Sequence, residues 1–265
     1  MPRPKRRLGQ HFLHDPAILR RIAAATAAGP GDTVLEIGPG PGGLTAALAA
    51  TGARVVAIEK DVELIAPLAA RIPSVVVAEG DALDLDWHAL AGAERFIVAG
   101  NIPYNITSPL IDKALEPPMP VRVVFLVQKE VAERVAAPPG QGSYGALSVG
   151  VQAVARVERL FAVPAGAFTP PPKVDSAVLR LTPLDAPLIA PGDRARFRSL
   201  VVGLFGLRRK QLLRALRELT GWPADRCESA LGAAGIVRTA RAETLAPPTF
   251  VRLFRVLVDE GWGGG

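Results

Sequence analysis

The 265 residues, 49% of them apolar, can bury the core of one large domain or of a large and a small one. There is no uncharged apolar run near the ~18–20 residues that a membrane helix needs, and the basic N-terminus leads into Leu8-Gly9-Gln10-His11, where a secretion signal would have an apolar core. One cysteine and three scattered histidines exclude an internal disulfide and show no zinc-binding spacing, so we expect a soluble cytoplasmic protein without a metal.

The net charge of +6 is concentrated towards the two ends of the chain. Residues 1–21 carry six basic side chains against one acid, Asp15, and residues 194–217 carry eight basic side chains and no acid. The remainder is acidic overall. A polyanionic partner such as nucleic acid would explain this distribution, because side chains that neutralise phosphates release counterions. Solvated helix faces are the alternative, since 25 of the 31 basic residues are arginine.

Short β-branched runs alternate with helical stretches between residues 33 and 183. The runs are nearly continuous apolar segments, which is typical of parallel strands covered on both faces. We expect strands at Thr33–Ile37, Arg54–Glu59, Ser74–Glu79, Phe96–Gly100 and Val121–Gln128, with later ones near Ala146–Ala155 and Ala177–Leu181. The intervening helices are expected at Gly43–Thr51, Asp61–Arg71, Ser108–Leu115 and Lys129–Ala137. This alternation predicts a doubly wound, Rossmann-like α/β sheet.

The pattern changes after Leu181. Three prolines indicate a linker, and helical patterns without strand candidates follow near residues 193–204, 208–219, 223–233 and 249–259. We therefore expect an α/β domain over residues 1–184 and a small all-helical C-terminal domain over residues 185–265.

A glycine-rich turn joins the first of these strands to the first of the intervening helices, in Glu36-Ile37-Gly38-Pro39-Gly40-Pro41-Gly42-Gly43. Glycines allow a sharp turn and a close approach of the backbone to a ligand. Glu59 ends the next strand, where a carboxylate can accept hydrogen bonds from ribose hydroxyls, and Asp81-Ala82 follows the third, where the carboxylate can accept from an adenine amine. These strand ends suit a ligand that carries adenosine, although a tight turn with two solvated carboxylates would share the pattern.

The fourth strand runs into Asn101-Ile102-Pro103-Tyr104. An exocyclic adenine amine is a poor nucleophile, and a pair of acceptors such as the Asn101 side-chain oxygen and the Ile102 carbonyl would help by binding its two N–H groups. Tyr104 offers a face for the base to stack on, and Pro103 stiffens the turn. Ordinary turn chemistry would also place Asn and Pro together.

In these features the chain resembles the ribosomal RNA adenine dimethyltransferase family, specifically the kasugamycin-sensitivity type that acts on the small subunit. Seven blocks occur in the family's order, and further similarity extends weakly to the C-terminus. The blocks are Leu8–Leu13, the glycine turn at Gly38, the acids Glu59 and Asp81, Asn101–Tyr104, Phe125–Arg134, Tyr144–Ser148, and Phe168–Ser176.

The resemblance implies a class I methyltransferase that uses S-adenosylmethionine. His11 and Leu13 would line the cofactor, Gly38 and Gly40 would approach its methionine part, Glu59 would hold the ribose, and Asp81 with Ala82 the adenine. Asn101 would serve both the cofactor and the target amine, and Phe168 would cover the target base opposite Tyr104. Family members commonly have asparagine where this chain has His11, so we expect His11 to act on the cofactor through its backbone and not its imidazole.

By the same resemblance, the targets would be two adjacent adenosines in a hairpin loop near the 3′ end of small-subunit RNA, dimethylated at N6 by a monomeric enzyme. The helical domain would bind RNA, in particular through Arg208, Arg209, Lys210 and Arg214, which we place at the start and on the faces of a helix.

Three other functions remain open from the sequence. Macrolide-resistance methyltransferases of large-subunit RNA share the glycine turn and Asn-Ile-Pro-Tyr, although the Phe168–Ser176 block and the segment Arg208–Leu213 favour the small-subunit type. A noncatalytic RNA-binding assembly or transcription factor could retain the same fold. A dehydrogenase would leave Asn101–Tyr104 and the basic helices without a use.

Overall fold

The computed structural model describes residues 4–5 and 8–264. Arg3, Arg6 and Arg7, three of the basic side chains in the N-terminal segment, lie outside the described residues. The chain forms two compact units, one of Met1–Ala132 with Val157–Pro183 and one of Glu133–Arg156 with Leu184–Gly265.

The division into units differs from the expected linear split at residue 184. One boundary does lie between Pro183 and Leu184, but Glu133–Arg156 belongs to the second unit. Hydrogen bonds connect Glu133–Arg156 to the C-terminal part of the chain. The buried Tyr144 hydroxyl donates to the Leu245 carbonyl at 2.7 Å, and the Gly140 N–H donates to the Glu243 carbonyl at 2.7 Å.

The first unit contains a doubly wound sheet. The strands, in chain order, are β1 (Phe12–Leu13), β2 (Thr33–Ile37), β3 (Arg54–Glu59), β4 (Val76–Glu79), β5 (Ile97–Asn101), β6 (Arg122–Gln128), β7 (Ala155–Val163), β8 (Phe168–Thr169) and β9 (Ser176–Pro183). The main sheet has the order β4-β3-β2-β5-β6-β9-β7, with β2 to β6 parallel and β9 antiparallel to β6. The expected α/β fold is confirmed, and its order reverses between β2 and β5, where such sheets bind ligands.

Helices cover the main sheet. Those that begin in the first unit are α1 (Pro16–Thr26), α2 (Gly43–Ala49), α3 (Val62–Arg71), α4 (Trp87–Ala91), α5 (Thr107–Ala114) and α6 (Lys129–Ala136). On one face, Ile22 of α1 and Leu48 of α2 pack in a core with alternate residues of β2, β3, β5 and β6. The residues between them are also buried, as in Val123–Val127 of β6, so both faces of the sheet are covered.

Two short segments bring distant parts of the chain together beside this sheet. β1 pairs with β8 in a two-stranded antiparallel sheet, with Phe12 opposite Thr169 and Leu13 opposite Phe168. Helix α1 follows directly, with Asp15 as its N-cap accepting from the N–H groups of Ala17 and Ile18. The sequence patterns did not predict β1, β8, α1 or α4, although Asp15-Pro16 is a typical helix start.

The prediction of a strand near Ala146–Ala155 is wrong, because this segment is helix α7 (Ala146–Gln152) and β7 begins only at Ala155. Its valines are β-branched, which favoured a strand. The structure instead buries Ser148 and Val151, which are spaced by one helical turn, and the Ser148 hydroxyl accepts from the Gly145 N–H at 3.0 Å, which caps the helix.

The described residues from 185 to 264 contain no strand, as expected. The helices there are α8 (Arg194–Gly206), α9 (Leu212–Thr220), α10 (Ala224–Ala233) and α11 (Pro247–Asp259). Phe197 and Phe254 pack edge to face in their core, with ring centroids 5.6 Å apart. Arg208 does not begin a helix: Arg208–Lys210 form the turn between α8 and α9. None of the described helices is long and apolar enough to span a bilayer.

A carboxyl group lies in the core of β2. Glu36 is 1% exposed, and its Oε2 has no hydrogen-bond partner among the described residues. Burial raises the pKa of Glu36 to about 8, the nearby Thr45 hydroxyl opposes this rise, and the charge of Glu59 adds to it. Glu36 is therefore neutral in the folded protein at neutral pH.

The pH dependence of stability tests this protonation state. In the unfolded chain a glutamate ionises near its ordinary pKa of 4.5, whereas folded Glu36 keeps its proton up to about 8. The free energy of unfolding should therefore fall as pH rises from about 4.5 to 8, by on the order of a few kcal/mol. Glu36→Gln lacks this loss, so its melting temperature, followed by circular dichroism, should rise relative to the wild type across that range. If the melting temperatures of the two proteins changed with pH in parallel, this result would contradict a neutral Glu36.

Candidate active site

A cleft of about 940 Å³, counting the part open to solvent, lies at the carboxyl ends of the parallel strands. Ile37 of β2 is paired with Ile58 of β3 and Gly100 of β5, so the loops that leave these strands begin side by side. Most of the expected site residues line this cleft: His11, Gly38, Gly40, Glu59, Asp81, Ala82, Asn101, Ile102, Pro103 and Tyr104.

The glycine turn and the end of β3 are held together by one carboxylate. Glu59 is 5% exposed, and its two oxygens accept from the N–H groups of Gly40 at 3.0 Å and Asp61 at 2.7 Å. Burial raises the pKa of Glu59 above its ordinary value, against the opposing effect of these bonds. A carboxylate has about four acceptor positions, so these bonds leave Glu59 acceptor capacity for a diol at the cleft.

Gly38 and Gly40 are required at this turn for different reasons. Gly38 has φ +67°, and a Cβ there would meet no atom within 4 Å, so it would project into open space. Gly40 has φ +55°, and its Cβ would lie 3.2 Å from the Phe12 ring. The turn therefore presents bare backbone to the cleft at Gly38 and packs tightly at Gly40.

Asp81 follows β4 and is paired with a residue that the sequence patterns did not single out. Lys60 Nζ donates to Asp81 Oδ2 at 2.6 Å, and the Leu83 N–H donates to Oδ1 at 3.0 Å. The Lys60 bond, followed by the Leu83 bond, lowers the pKa of Asp81. Asp81 is thus an ionised acceptor at the rim of the cleft, and Lys60, which is largely exposed, can leave it at small cost.

Asn101 ends β5 with its amide oriented by the N-terminal segment. Asn101 Nδ2 donates to the His11 carbonyl at 2.8 Å, which leaves Oδ1 as an acceptor in the cleft. The Ile102 N–H donates to the Leu126 carbonyl at 3.0 Å and so holds the loop against β6. These contacts fix the backbone and side-chain groups that we expected to bind an amine.

Tyr104 follows in a short 3-10 turn, Tyr104–Ile106, and is fixed at its hydroxyl. The Tyr104 and Ser176 hydroxyls are hydrogen bonded at 2.7 Å, and Ser176 is fully buried at the start of β9. Burial raises the pKa of Tyr104, so the phenol stays neutral. In the sequence Ser176 is only the last residue of the Phe168–Ser176 block, and the structure gives it this specific contact.

Leu13 and Phe168 do not line the cleft. Both side chains belong to the core that β1 and β8 form with α1, where Leu13 is 9% and Phe168 is 2% exposed. Their mutual pairing turns the two side chains into the apolar interior. In this structure the ring that faces Tyr104 is the imidazole of His11, with centroids 5.7 Å apart.

Hydrogen bonds to Asp61 hold the N-terminal segment at the cleft. Gln10 Nε2 donates to Asp61 Oδ2 at 3.1 Å, and Lys5 Nζ donates to Asp61 Oδ1 at 2.6 Å. Burial would raise the pKa of Asp61, but the bonds from Lys5 and Gln10 outweigh it and lower the pKa. Because Leu8–Phe12 line the cleft, this clamp of Lys5, Gln10 and Asp61 holds one of its walls. The sequence identified Asp61 only as a helix N-cap, which it also is.

The residues present fit S-adenosylmethionine. The open space at Gly38 can accommodate a ligand that approaches the backbone closely, and the carboxylates of Glu59 and Asp81 are acceptors of the kind that ribose hydroxyls and an adenine amine would need. The cleft passes from these groups to Asn101 and Tyr104, so a bound cofactor and a second group can meet there.

The clamp predicts that Asp61 contributes to cofactor retention. Asp61→Asn keeps an N-cap but removes the buried one of the two carboxylate charges that bind Lys5, the other being the exposed Glu63. We expect the affinity for S-adenosylmethionine to fall about tenfold, the scale of one charge-assisted hydrogen bond. Calorimetric titration measures this. Asp86→Asn is the matched control, because Asp86 caps α4 in the same way and does not line the cleft. Equal affinities for the two variants would contradict the clamp.

Known proteins are similar to this chain in both sequence and fold. A protein named ribosomal RNA small subunit methyltransferase A from Xanthomonas campestris pv. campestris (strain B100) is 45% identical over 257 residues, 95% of each chain. A dimethyladenosine transferase from Plasmodium falciparum has a TM-score of 0.84 at 28% identity, covering 95% of this chain and 99% of that one. The 23S rRNA methyltransferase ErmE has a TM-score of 0.73 at 30% identity, covering 93% and 99%.

A family model described as ribosomal RNA adenine dimethylase matches residues 1–259, nearly the whole chain. The match includes the glycine turn, Glu59, Asp81 and Asn101–Tyr104, which the structure gathers at one cleft. The chain belongs to the ribosomal RNA adenine dimethylase family.

Proposed function

We infer that this protein dimethylates adenosines of small-subunit ribosomal RNA at N6, with S-adenosylmethionine as the methyl donor. The observation that carries this function is the oriented amide of Asn101, which lines the same cleft as Tyr104 in a chain of the ribosomal RNA adenine dimethylase family. The targets that we propose are two adjacent adenosines in a hairpin loop near the 3′ end of the 16S RNA, presented by the immature small subunit. A loop lowers the cost of unstacking a base.

A small-subunit substrate is favoured over large-subunit RNA because this chain is more similar in sequence to a small-subunit methyltransferase than to a large-subunit one. The small subunit methyltransferase A of Xanthomonas is 45% identical to this chain, whereas ErmE is 30% identical. A purely noncatalytic RNA-binding role would leave the arrangement of Asn101, Tyr104, Glu59 and Asp81 without a use. The family match also disfavours a dehydrogenase. We propose that the protein acts as a monomer in the cytoplasm, where bacterial small subunits are made.

Residues of the strand ends would hold the cofactor. Glu59 would accept from the ribose hydroxyls with the lone pairs that Gly40 and Asp61 leave, and Asp81 would accept from the adenine amine in place of Lys60. Gly38 would give the methionine part room along the backbone. When bound, S-adenosylmethionine supplies an electrophilic methyl group on its sulfonium.

Residues of the Asn101–Tyr104 loop would prepare the nucleophile. Asn101 Oδ1 and the Ile102 carbonyl would accept from the two N–H groups of the target amine and so direct the nitrogen lone pair out of the ring plane. Tyr104 would hold the base by stacking, with its hydroxyl anchored on Ser176. The amine proton would leave to water after transfer, so the site needs no strong general base. Positioning and preorganised acceptors would supply the acceleration.

Arginines of the second unit would bind the RNA backbone. Arg208, Arg209 and Arg214 are exposed around the turn between α8 and α9. Lys210, the fourth expected RNA-binding residue, instead forms an ion pair with Glu218. We therefore assign the contact chiefly to the three arginines, whose guanidinium groups suit phosphate.

A methyl-transfer assay tests the function. The wild type should methylate immature small subunits and leave large-subunit RNA unmodified, with monomethyl and dimethyl adenine measured separately by mass spectrometry. Asn101→Ala removes one acceptor and should slow the first transfer at least ~100-fold, the scale of losing one preorganised polar group. Tyr104→Phe should lower the transfer rate only slightly and Tyr104→Ala should lower it severely, because only the alanine variant loses the ring on which the base stacks.

Two results would overturn this function. Preferential methylation of large-subunit RNA by the wild type would favour the macrolide-resistance type. Near-normal dimethylation by Asn101→Ala would show that the Asn101–Tyr104 loop is not the catalytic pocket.

Charge reversal tests RNA binding by the exposed arginines. Arg208→Glu with Arg209→Glu should weaken RNA binding and reduce the slope of log affinity against log salt by about one for each phosphate that the protein no longer neutralises. The control makes the same change at Arg252 and Arg255, two exposed arginines of α11. Filter binding at several salt concentrations measures both. An unchanged slope in the Arg208 and Arg209 variant would identify these residues as a solvated face.

A further inference from the structure

Lys113, a residue of α5 that no sequence pattern singled out, is bonded to the loop that follows β4. Its Nζ donates to the Leu83 carbonyl at 2.6 Å. The loop begins with Asp81 and Ala82, which line the cleft, whereas Leu83 and Lys113 do not. Lys113 therefore acts on this end of the cleft, to which we assign the adenine, only through the loop.

The peptide group between Ala82 and Leu83 is fixed at both of its polar atoms. Trp87 Nε1 donates to the Ala82 carbonyl at 2.8 Å, and the Leu83 N–H donates to Asp81 Oδ1 at 3.0 Å. With the bond from Lys113, three consecutive polar groups of this backbone have partners. Because the Leu83 N–H holds one carboxylate oxygen, the orientation of Asp81 depends on the orientation of the Leu83 backbone.

The groups that hold the loop are themselves anchored. Trp87 is 5% exposed, and the Lys113 ammonium lies 5.7 Å from the centre of its ring, within the range of a cation–π contact. Lys113 stands in the last turn of α5, whose Leu110 and Ala114 are buried. The Leu83 carbonyl is therefore held by a side chain whose helix is packed in place.

Two lysines act on Asp81 in different ways. The bond from Lys60 is the largest cause of the lowered pKa of Asp81, and the charge of Lys113 adds a smaller effect in the same direction. Lys60 lines the cleft and occupies Asp81 Oδ2, so an adenine amine would displace it. Lys113 is bonded to Leu83 instead and can stay in place when the cofactor binds.

We propose that Lys113 is a positioning residue that holds Asp81, through Leu83, in the orientation that accepts from an adenine amine, and so makes the cofactor site selective for adenine over hypoxanthine. This proposal rests on the proposed role of Asp81. Hypoxanthine has a carbonyl oxygen where adenine has the amine, and two acceptors cannot form a hydrogen bond. The preference depends on a fixed carboxylate, because hydrogen bonds weaken steeply when they are misaligned.

A purely structural role is the competing explanation, in which Lys113 only stabilises the end of α5. Lys113→Met keeps the apolar stem but loses the donor and the charge, whereas Lys113→Arg keeps a charged donor. Lys129→Met is the control, because Lys129 is an exposed lysine at the start of α6 that does not line the cleft. Asp81→Asn tests the underlying assignment, since it keeps the size of the side chain and removes its charge.

The experiment measures by calorimetry the affinities for S-adenosylhomocysteine and S-inosylhomocysteine, which carry adenine and hypoxanthine respectively. We expect the wild type to prefer the first by at least ~10-fold, the scale of one hydrogen bond to a charged group. Lys113→Met should weaken S-adenosylhomocysteine about fivefold and S-inosylhomocysteine less than about twofold, so that the preference falls. Lys113→Arg and Lys129→Met should keep the preference. In methyl transfer, Lys113→Met should raise the KM for S-adenosylmethionine and keep kcat within about twofold, because the reacting atoms are not touched.

The preference ratio decides the proposal. If Lys113→Met weakened both probes equally, or kept the wild-type ratio, Lys113 would have only a structural role and the proposal would be overturned. A wild type that does not distinguish the probes, or an Asp81→Asn variant that still does, would refute the assignment of Asp81 and this proposal with it. Neither probe needs RNA, so these outcomes are independent of the methyl-transfer assay on small subunits, which alone decides the proposed substrate.

Discussion

The parallel pairing of β2 with β3 and β5 is the constraint on which the site depends. Parallel strands in register end at one edge of a sheet, and here Ile37 lies between Ile58 and Gly100. The loops that follow therefore start within one or two strand spacings, about 5–10 Å, of each other. Residues far apart in the chain, such as Gly38 and Asn101, line one cleft for this reason.

Hydrogen bonds across this edge turn adjacent loops into one rigid frame. Glu59 joins the glycine turn to the N-terminus of α3 through the N–H groups of Gly40 and Asp61. Asp61 extends the connection to Gln10, and the His11 carbonyl completes it at Asn101. Glu59 and Asn101, to which we assign the ribose and the target amine in our proposal, are thus connected through the N-terminal segment. Such preorganisation is what catalysis by positioning requires.

The antiparallel pairing of β1 with β8 positions the N-terminal wall of the cleft. It carries the N-terminal segment to the cleft, and Ser176, at the start of the next strand β9, holds the Tyr104 hydroxyl. The same pairing removes Leu13 and Phe168 into the core. A two-residue pairing therefore places His11 at the cleft and Phe168 in the core.

Much of the fold and of the cofactor edge could be predicted from the sequence. The strands Thr33–Ile37 and Arg54–Glu59 were predicted with the observed bounds, because continuous apolar runs and glycine turns are local signals. Glu59, Asp81 and Asn101 each stand at or just past a strand end, so their convergence followed once a parallel sheet was assumed. The helices after residue 191 were also predicted from local periodicity, although Arg208 proved to lie in a turn.

Other features depended on contacts between residues far apart in the chain. His11 meets Pro170 across 159 positions, and Asn101 meets His11 across 90. No local pattern specifies such partners, so the sequence could not show that Phe168 turns inward or that Lys60 pairs with Asp81. It also predicted a strand near Ala146–Ala155 where helix α7 lies, because β-branched residues favour strands unless burial on one helical face favours a helix. The sequence by itself determined which chemical groups stand at the strand ends, and the tertiary structure decided which of them face one another, because pairing and burial are properties of the assembled chain.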